Sequence, residues 1–316
     1  MLVRRVSLAL FTLSCLGMAQ TSQSSQPGVV DQPYRFSTSV QMVVLQATVR
    51  TGKGGFMNGL RQNNFQVFEN DQPQTIGVFR HRDSAVAIGL IVDNSGSMRR
   101  KHAAVLAAAK AFAKNSNAQD QLFVVNFNEQ VKLGLPSTQL SSANSRQLER
   151  ALPVTTGSGK TALYDALELG MKHVQELKQD KKALILISDG GDNASTHTAE
   201  QVITDATNSE VIIYTIGLFG KYEEETNPAF LKQLADVTGG EAFRPAKPGQ
   251  AANNCKRIAQ TIRNVYTIGY TPTNRDLDGK FRAIQVKVKS PRRGTLLART
   301  RAGYMAQPDA SASPTK

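Results

Sequence analysis

Cysteine and histidine are both scarce in this chain of 316 residues, and their spacing excludes several kinds of site. The only cysteines are Cys15 and Cys255, without a CxxC pair, so neither a disulfide scaffold nor a thiolate zinc site is expected. The four histidines show no metal-binding spacing such as HExxH. Cys255 lies in a helical apolar pattern with Ile258, Ala259 and Ile262, which predicts a buried thiol rather than a reactive one.

Long apolar runs are also missing outside the N-terminus. None reaches the roughly 18 residues that a spanning helix needs, so no transmembrane helix is expected in the mature chain. Apolar residues still make up 40% of the sequence, which suffices for a core and excludes wholesale disorder. The length fits two modest domains, or one large domain with additions.

Acidic residues are too few to balance the basic ones. The chain has 38 Lys and Arg against 25 Asp and Glu, a net charge of +13, and much of the excess lies within 256–301. This region could face an anionic envelope surface or an acidic partner, but the alternation of Arg282, Lys287 and Lys289 favours the solvated face of a strand. No aromatic residues interleave with the charges, so nucleic-acid binding is not expected.

The N-terminus resembles a targeting signal rather than part of a fold. Arg4 and Arg5 precede the apolar stretch 6–16, and small residues then lead to Ala19. A positive region, an apolar region and a small-residue cleavage site predict a secretory signal removed after Ala19, hence an exported protein, periplasmic or secreted. Lipidation at Cys15 is the alternative, although the residues before it fit a lipoprotein signal poorly.

The rest of the chain changes character twice. Residues 20–34 form a polar leader and 307–316 a loose tail, both predicted to be flexible. Strand patterns occupy 35–82 and 266–306, whereas strands alternate with amphipathic helices over 84–265. We predict an α/β fold with a doubly wound, mostly parallel, Rossmann-like sheet, inserted in or flanked by a small β-sandwich built from the two strand segments.

Four near-continuous apolar runs carry the prediction of a parallel sheet. Strands buried on both faces have this pattern, and the runs are 86–93, 122–127, 183–188 and 211–217. Val105, Ala108 and Phe112 recur at helical spacing between the first two runs. Sheets of this kind bind ligands at the carboxyl ends of their strands, where the strand order reverses.

Carboxylate and hydroxyl side chains follow these elements and form the candidate site. They are Asp93, Ser95 and Ser97 after the first strand, Thr161 before a helix, and Asp189 after the third buried strand. Hard oxygen donors without His or Cys favour a hard divalent ion, Mg²⁺ first and Mn²⁺ or Ca²⁺ next. Gly96 would allow the tight path that brings the alternating residues to one point.

The same residues carry a family resemblance. D-x-S-x-S after a buried strand, G-x-T-A-L before a helix and S-D-G after a later strand resemble the von Willebrand factor type A domain, over about 84–265. The resemblance implies a metal-ion-dependent adhesion site in which Asp93, Ser95, Ser97 and Thr161 are ligands and Asp189 binds directly or through water. It also implies that the remaining coordination position accepts an Asp or Glu carboxylate from a protein partner.

The flanking strands resemble segments of secreted bacterial proteins with this domain, notably those typical of acidobacteria, through a Y-x-I-G-Y-x-P run at 266–272. Together the two resemblances imply an exported binding protein, not an enzyme, that functions in adhesion or complex assembly. Two alternatives stay open: a metal-assisted hydrolase or nucleotide-using enzyme, and an envelope subunit with a purely structural metal. Catalysis would need a general base, for which the sequence offers only His197.

Two other motifs imitate ligand-binding loops. Gly159-Lys160-Thr161 looks like part of a phosphate-binding loop, but the glycine that a full motif requires is replaced by Val154. The N-x-D-x-D-G run at 274–279 starts like an EF-hand, yet its twelfth position is Gln285 rather than Glu. We therefore favour a hairpin turn there over a calcium site.

Overall fold

The computed structural model describes most of the chain from Met42 onwards, namely residues 42–139, 145–152, 159–220, 225–289 and 296–307. The predicted signal peptide, the leader and nearly all of the predicted tail lie outside the described residues. Within the described ranges, no helix is both long and apolar enough to cross a membrane.

The described residues form fourteen strands and six α-helices. The strands are β1 Val43–Thr51, β2 Phe65–Glu69, β3 Gln72–Gln74, β4 Ile76–Arg80, β5 Val86–Asp93, β6 Gln121–Phe127, β7 Val131–Gln139, β8 Lys181–Ser188, β9 Ile212–Gly217, β10 Ala242–Phe243, β11 Val265–Tyr270, β12 Phe281–Val288, β13 Leu296–Arg299 and β14 Gly303–Met305. The helices are α1 His102–Asn115, α2 Ser145–Ala151, α3 Leu163–Gln175, α4 Ala199–Asn208, α5 Pro228–Thr238 and α6 Ala251–Arg263.

A six-stranded sheet forms the centre of the α/β part, in the order β10-β9-β8-β5-β6-β7. All its neighbouring strands run parallel except the edge strand β7, which is antiparallel to β6. Helices α1, α2 and α6 contribute to the core on one face, and α3, α4 and α5 to the core on the other. Because both faces are covered, every residue of β5 is buried. The predicted fold class is confirmed.

Two four-stranded antiparallel sheets flank this domain, in the orders β13-β1-β11-β4 and β14-β12-β2-β3. Each sheet combines strands from before and after the α/β part, since β1 pairs with β11 and β2 with β12. Their apolar faces share a third core, in which Leu45, Val67 and Tyr266 are buried. These pairings support our proposal that 35–82 and 266–306 form one discontinuous domain, of which 35–41 and 290–295 lie outside the described residues.

The turn at Asn70-Asp71 is a two-residue hairpin between β2 and β3. Both residues have positive φ, 45° and 63°, and Glu69 pairs with Gln72 across the turn. This backbone is the one that a type I′ turn requires, and Asn and Asp tolerate it better than most side chains.

The hairpin predicted at 274–279 is wrong. The segment joins β11 to β12, which belong to different sheets, so it connects the two layers instead of folding a strand back on its neighbour. Oxygen atoms of this segment bind the Arg282 side chain. Arg282 Nη2 donates to the Asp278 carboxylate at 2.8 Å and to the Asp276 carbonyl at 3.0 Å.

This contact also corrects the interpretation of the basic residues of β12. Arg282 is buried on the same face of the strand as Ile284, whereas Lys287 and Lys289 are exposed. Side chains alternate along a strand, so residues 282 and 287 must point to opposite faces. Only the two lysines lie on a solvated face, and Lys287 Nζ covers the Phe68 ring at 4.6 Å.

Arg263, at the end of α6, lies at the junction where the chain passes between the α/β part and the antiparallel sheets. Its Nη2 donates to both carboxylate oxygens of Asp120, at 2.8 and 3.0 Å, and its Nη1 donates to Asp83 at 2.8 Å. Asp120 is fully buried and also accepts from the Val86 amide, where β5 begins. The junction therefore lies at the amino end of the central strands, opposite the edge where ligands are expected.

Arg263→Ala should lower the free energy of unfolding by about 3 kcal/mol, because it removes the guanidinium that donates to both oxygens of the buried Asp120 carboxylate. Asp83→Ala removes only the exposed partner of the same arginine and should cost less than about 1 kcal/mol. Urea denaturation of both variants beside the wild type measures the difference. Equal losses in the two variants would show that Asp120 does not depend on Arg263.

Candidate metal site

The candidate site lies where two adjacent parallel strands end. β5 and β8 are neighbours in the sheet, and the chain reaches β8 only after it has formed β6 on the far side of β5. The strand order therefore reverses between β5 and β8, which is where such sheets bind ligands. Asp93 is the last residue of β5, and Asp189 directly follows β8.

Hydrogen bonds gather four of the predicted ligands into one cluster. The Ser95 amide donates to Asp93 Oδ1 at 2.8 Å, and the Ser95 and Ser97 hydroxyls lie 3.2 Å apart. Ser97 Oγ in turn donates to Asp189 Oδ2 at 2.5 Å. The alternation of Asp93, Ser95 and Ser97 thus brings their oxygens together with the carboxylate of a second loop.

The loop that carries Thr161 reaches this cluster through two glycines. A Cβ at Gly96 would lie 3.2 Å from the Gly159 Cα, so the two backbones meet here. Gly96 is therefore explained by this close approach, and Gly159 by its positive φ of 102°. Thr161 is buried, and its amide donates to Asn193 Oδ1 at 2.8 Å while its carbonyl accepts from the Asn193 amide at 2.9 Å.

The electrostatics of the cluster favour a cation. Asp93 and Asp189 are 1% and 3% exposed. Burial and, to a lesser extent, the nearby Asp189 raise the pKa of Asp93 to about 6, although hydrogen bonds from Ser188 and Ser95 oppose both effects. Ser188 Oγ donates to Asp93 Oδ2 at 2.6 Å. Two buried carboxylates that repel one another are stabilised when a positive ion binds beside them.

A buried lysine beside the cluster was missed by the sequence analysis. Lys101 is 5% exposed; its Nζ donates to the Leu218 carbonyl at 2.7 Å and lies 3.8 Å from Asp189 Oδ2. In the sequence it ends the run Arg99-Arg100-Lys101, which resembles a solvated basic patch. The only available signal was its position four residues after Ser97, one turn along the same short segment.

The donor set fits a hard divalent metal. Among the residues that the structure describes, no group of three or more His, Cys, Asp or Glu side chains is arranged to hold an ion. A site here must therefore use hydroxyl oxygens besides the two carboxylates, which suits Mg²⁺, Mn²⁺ or Ca²⁺ better than a softer ion.

Other candidate groups are engaged elsewhere. His197 Nδ1 lies 2.7 Å from Asp165 Oδ1, and this hydrogen bond raises the pKa of the histidine. Burial raises the pKa of the Cys255 thiol to about 12, which makes it unreactive as predicted. Gly157, at the start of the sequence that imitates a phosphate loop, lies outside the described residues.

The family comparison agrees with this geometry. Residues 88–191 match the family model of the von Willebrand factor type A domain. This range includes Asp93, Ser95, Ser97, Thr161 and Asp189. The chain thus contains a von Willebrand factor type A domain. Domains of this kind commonly mediate protein–protein interaction through a metal held at the adhesion site, and they are generally not enzymes.

Solved structures share the fold at low sequence identity. A von Willebrand factor type A protein from Catenulispora acidiphila is 16% identical, covers 78% of this chain and 75% of its own, and has a TM-score of 0.51. Proximal thread matrix protein 1 from the mussel byssus, with a zinc-occupied adhesion motif, is 16% identical, with 61% and 49% covered and a TM-score of 0.50. At such identities, the likeness establishes the fold alone.

Among curated proteins, the uncharacterized protein sll0103 of Synechocystis is 24% identical over 179 residues. The match covers 56% of this chain and 41% of that protein. The chain thus spans about two fifths of the length of its curated relative.

Asp93→Asn should stabilise the metal-free protein at pH 8. The folded state raises the pKa of Asp93 from 3.8 to about 6, so it binds the proton more tightly than the unfolded chain does. The associated stability is fully present below about pH 4 and is lost as the pH rises through about 6. In EDTA at pH 8 the variant should therefore gain about 2–3 kcal/mol over the wild type, and nothing at pH 4.

Thermal unfolding in EDTA at both pH values measures this effect, with Asp276→Asn as the control at an exposed carboxylate. Addition of Mg²⁺ at pH 8 should then raise the Tm of the wild type but not that of Asp93→Asn. A variant less stable than the wild type at pH 8 without metal would contradict the buried negative charge.

Proposed function

We propose that this protein is an exported binding protein whose type A domain holds a divalent metal and binds an acidic residue of a protein partner. Asp93, Ser95, Ser97 and Thr161 are the direct ligands, and Asp189 binds directly or through water. The observation that carries the proposal is the cluster of two buried carboxylates and two serine hydroxyls at the strand switch point.

The choice of ligand follows from coordination. Mg²⁺ prefers an octahedron of oxygens, and five side chains leave at least one position for water or an outside ligand. Neutral hydroxyls supply most of the donors, so the metal remains electrophilic. An Asp or Glu of the partner would complete both the geometry and the charge.

We propose Mg²⁺ as the ion, with Mn²⁺ or Ca²⁺ as alternatives. The donor chemistry supports this order, because oxygen-only sets suit hard cations. The zinc in the adhesion motif of the mussel protein belongs to that protein and supports a divalent ion in domains of this fold.

An enzymatic function has less support. A metal-assisted hydrolase needs a base beside its metal-bound water, and the nearest sequence candidate, His197, is bound to Asp165. The second candidate function is that of an envelope subunit in which the metal is purely structural. Buried carboxylates alone would favour metal binding equally in both cases.

Export rests on the N-terminal sequence. We propose cleavage after Ala19 and a periplasmic or secreted protein, with lipidation of Cys15 as the alternative, in keeping with the resemblance to secreted acidobacterial proteins. The basic region could also contact an anionic envelope surface, through exposed residues such as Lys287 and Lys289 rather than Arg282.

Asp93→Ala combined with Ser95→Ala should abolish Mg²⁺ binding while the domain stays folded, because the ligands lie at the rim of a sheet whose core is apolar. Isothermal calorimetry measures the affinity, and circular dichroism checks the fold. Unchanged Mg²⁺ affinity in the folded double variant would show that the assigned site is wrong.

Partner binding should depend on both the metal and Thr161. Envelope extract passed over the immobilised protein should yield a partner with Mg²⁺ and lose it with EDTA or with Thr161→Ala, whereas Thr204→Ala, on the exposed face of α4, serves as control. Replacing the contacting Asp or Glu of the partner by its amide should cost about 2–5 kcal/mol. Binding that survives EDTA would favour a structural metal.

A further inference from the structure

We propose that Asn193 is a positioning residue that holds Thr161 in place as a donor to the metal. This inference rests on the proposed function, because it concerns one ligand of the same metal site. The other four proposed ligands are linked to one another by hydrogen bonds, whereas Thr161 reaches the site on a separate loop. The placement of Thr161 therefore depends on what holds that loop.

Asn193 holds both peptide groups that flank the Cα of Thr161. Its side-chain Oδ1 accepts from the Thr161 amide at 2.8 Å, and its backbone amide donates to the Thr161 carbonyl at 2.9 Å. The Ala194 amide donates to the same carbonyl at 3.1 Å. With both planar peptide groups held, the direction of the Cα–Cβ bond of Thr161 is fixed. A β-branched side chain has few χ1 rotamers, so the hydroxyl is left with few positions.

The side-chain amide of Asn193 is itself oriented by Glu225. Asn193 Nδ2 donates to Glu225 Oε2 at 2.8 Å. An ionised carboxylate only accepts and a backbone amide only donates, so this position needs an acceptor on one side and a donor on the other. Asparagine supplies both. The contact also connects the loop after β8 to the segment after β9, where the Asn227 amide donates to the Asp189 carbonyl at 3.2 Å.

The loop that carries Asn193 is docked on the start of α3. The N-cap of α3, Ala162, has no side-chain oxygen, so the first amides of the helix need acceptors from elsewhere. Asp192 Oδ1 and Ser195 Oγ accept from the second and third amides of the helix, at 3.2 and 3.1 Å. Asn193 lies between these two contacts, which keep it beside Thr161 although its side chain is exposed.

A positioning role of the side chain can therefore be separated from the folding of the loop. The helix contacts of Asp192 and Ser195 and the backbone contacts of residues 193 and 194 do not use the Asn193 side chain. Its removal should loosen Thr161 while the loop stays docked. Metal affinity should fall, because groups that orient a metal ligand contribute to binding without touching the metal.

The test measures Mn²⁺ affinity by electron paramagnetic resonance, with thermal unfolding in EDTA as a separate measure of the fold. Asn193→Ala should lower the Mn²⁺ affinity by a factor on the order of ten and leave the Tm in EDTA nearly unchanged. Asn274→Ala is the matched control and should leave the affinity unchanged. Asn274 Oδ1 also accepts from a backbone amide, that of Asp276 at 2.9 Å, in the exposed connection between β11 and β12.

A double-variant cycle with Thr161→Val shows whether Asn193 acts through the threonine hydroxyl. Valine keeps the β-branched shape and removes the oxygen. If Asn193 positions that oxygen, Asn193→Ala should have no further effect in the Thr161→Val background. Broadening of the Mn²⁺ signal in isotopically labelled water should show an additional bound water in either single variant, and no more than that in the double variant.

Glu225 provides a second pair of variants. Glu225→Gln keeps an oxygen that accepts from Asn193 and should retain most of the Mn²⁺ affinity, whereas Glu225→Ala should lower it in the same direction as Asn193→Ala. Both variants remove the charge, so the difference between them isolates the hydrogen bond. If Asn193→Ala does not fold, the cycle with Thr161→Val is carried out with Glu225→Ala instead.

The outcomes separate this inference from the proposed function. A wild type that binds no Mn²⁺, or a Thr161→Val variant with unchanged affinity, overturns the assigned ligands and with them this inference. A loss of affinity in Thr161→Val but not in Asn193→Ala, or losses that add in the double variant, overturns the role of Asn193 alone. A loss that disappears in the Thr161→Val background supports it.

Discussion

The placement of two carboxylates at the ends of adjacent buried strands is the constraint on which the site depends. Asp93 ends β5 and Asp189 follows β8, so both are nearly excluded from water and repel one another. Hydrogen bonds from Ser95, Ser97 and Ser188 offset part of this repulsion. The repulsion that is not offset favours the binding of a cation. At neutral pH, a metal ion would relieve it better than a proton.

The rest of the fold holds these two strand ends rigidly. The central sheet is covered on both faces by helices, and the antiparallel sheets join the α/β part at the opposite end, where Arg50 of β1 pairs with Glu241. The candidate metal site and the junction with the antiparallel sheets therefore lie at opposite ends of the central strands. A partner could occupy the carboxyl edge without touching the junction, and changes at the junction should reach the site only through the stability of the sheet.

Much of the fold and of the candidate site could be predicted from the sequence, because those features are local. Continuous apolar runs mark strands that are buried on both faces, and β5 has the predicted bounds. The Asn70-Asp71 turn follows from the backbone that these residues tolerate. Asp93, Ser95 and Ser97 are brought together by their alternation within one loop.

Contacts between distant segments were decided only by the tertiary structure. The approach of Gly96 to Gly159 and the burial of Lys101 beside Asp189 each join parts of the chain that no local pattern relates. Lys101 and Arg282 both have the sequence pattern of solvated cations. Whether a charge lies in water or beside a buried carboxylate depends on packing, which the sequence determined only through the whole fold.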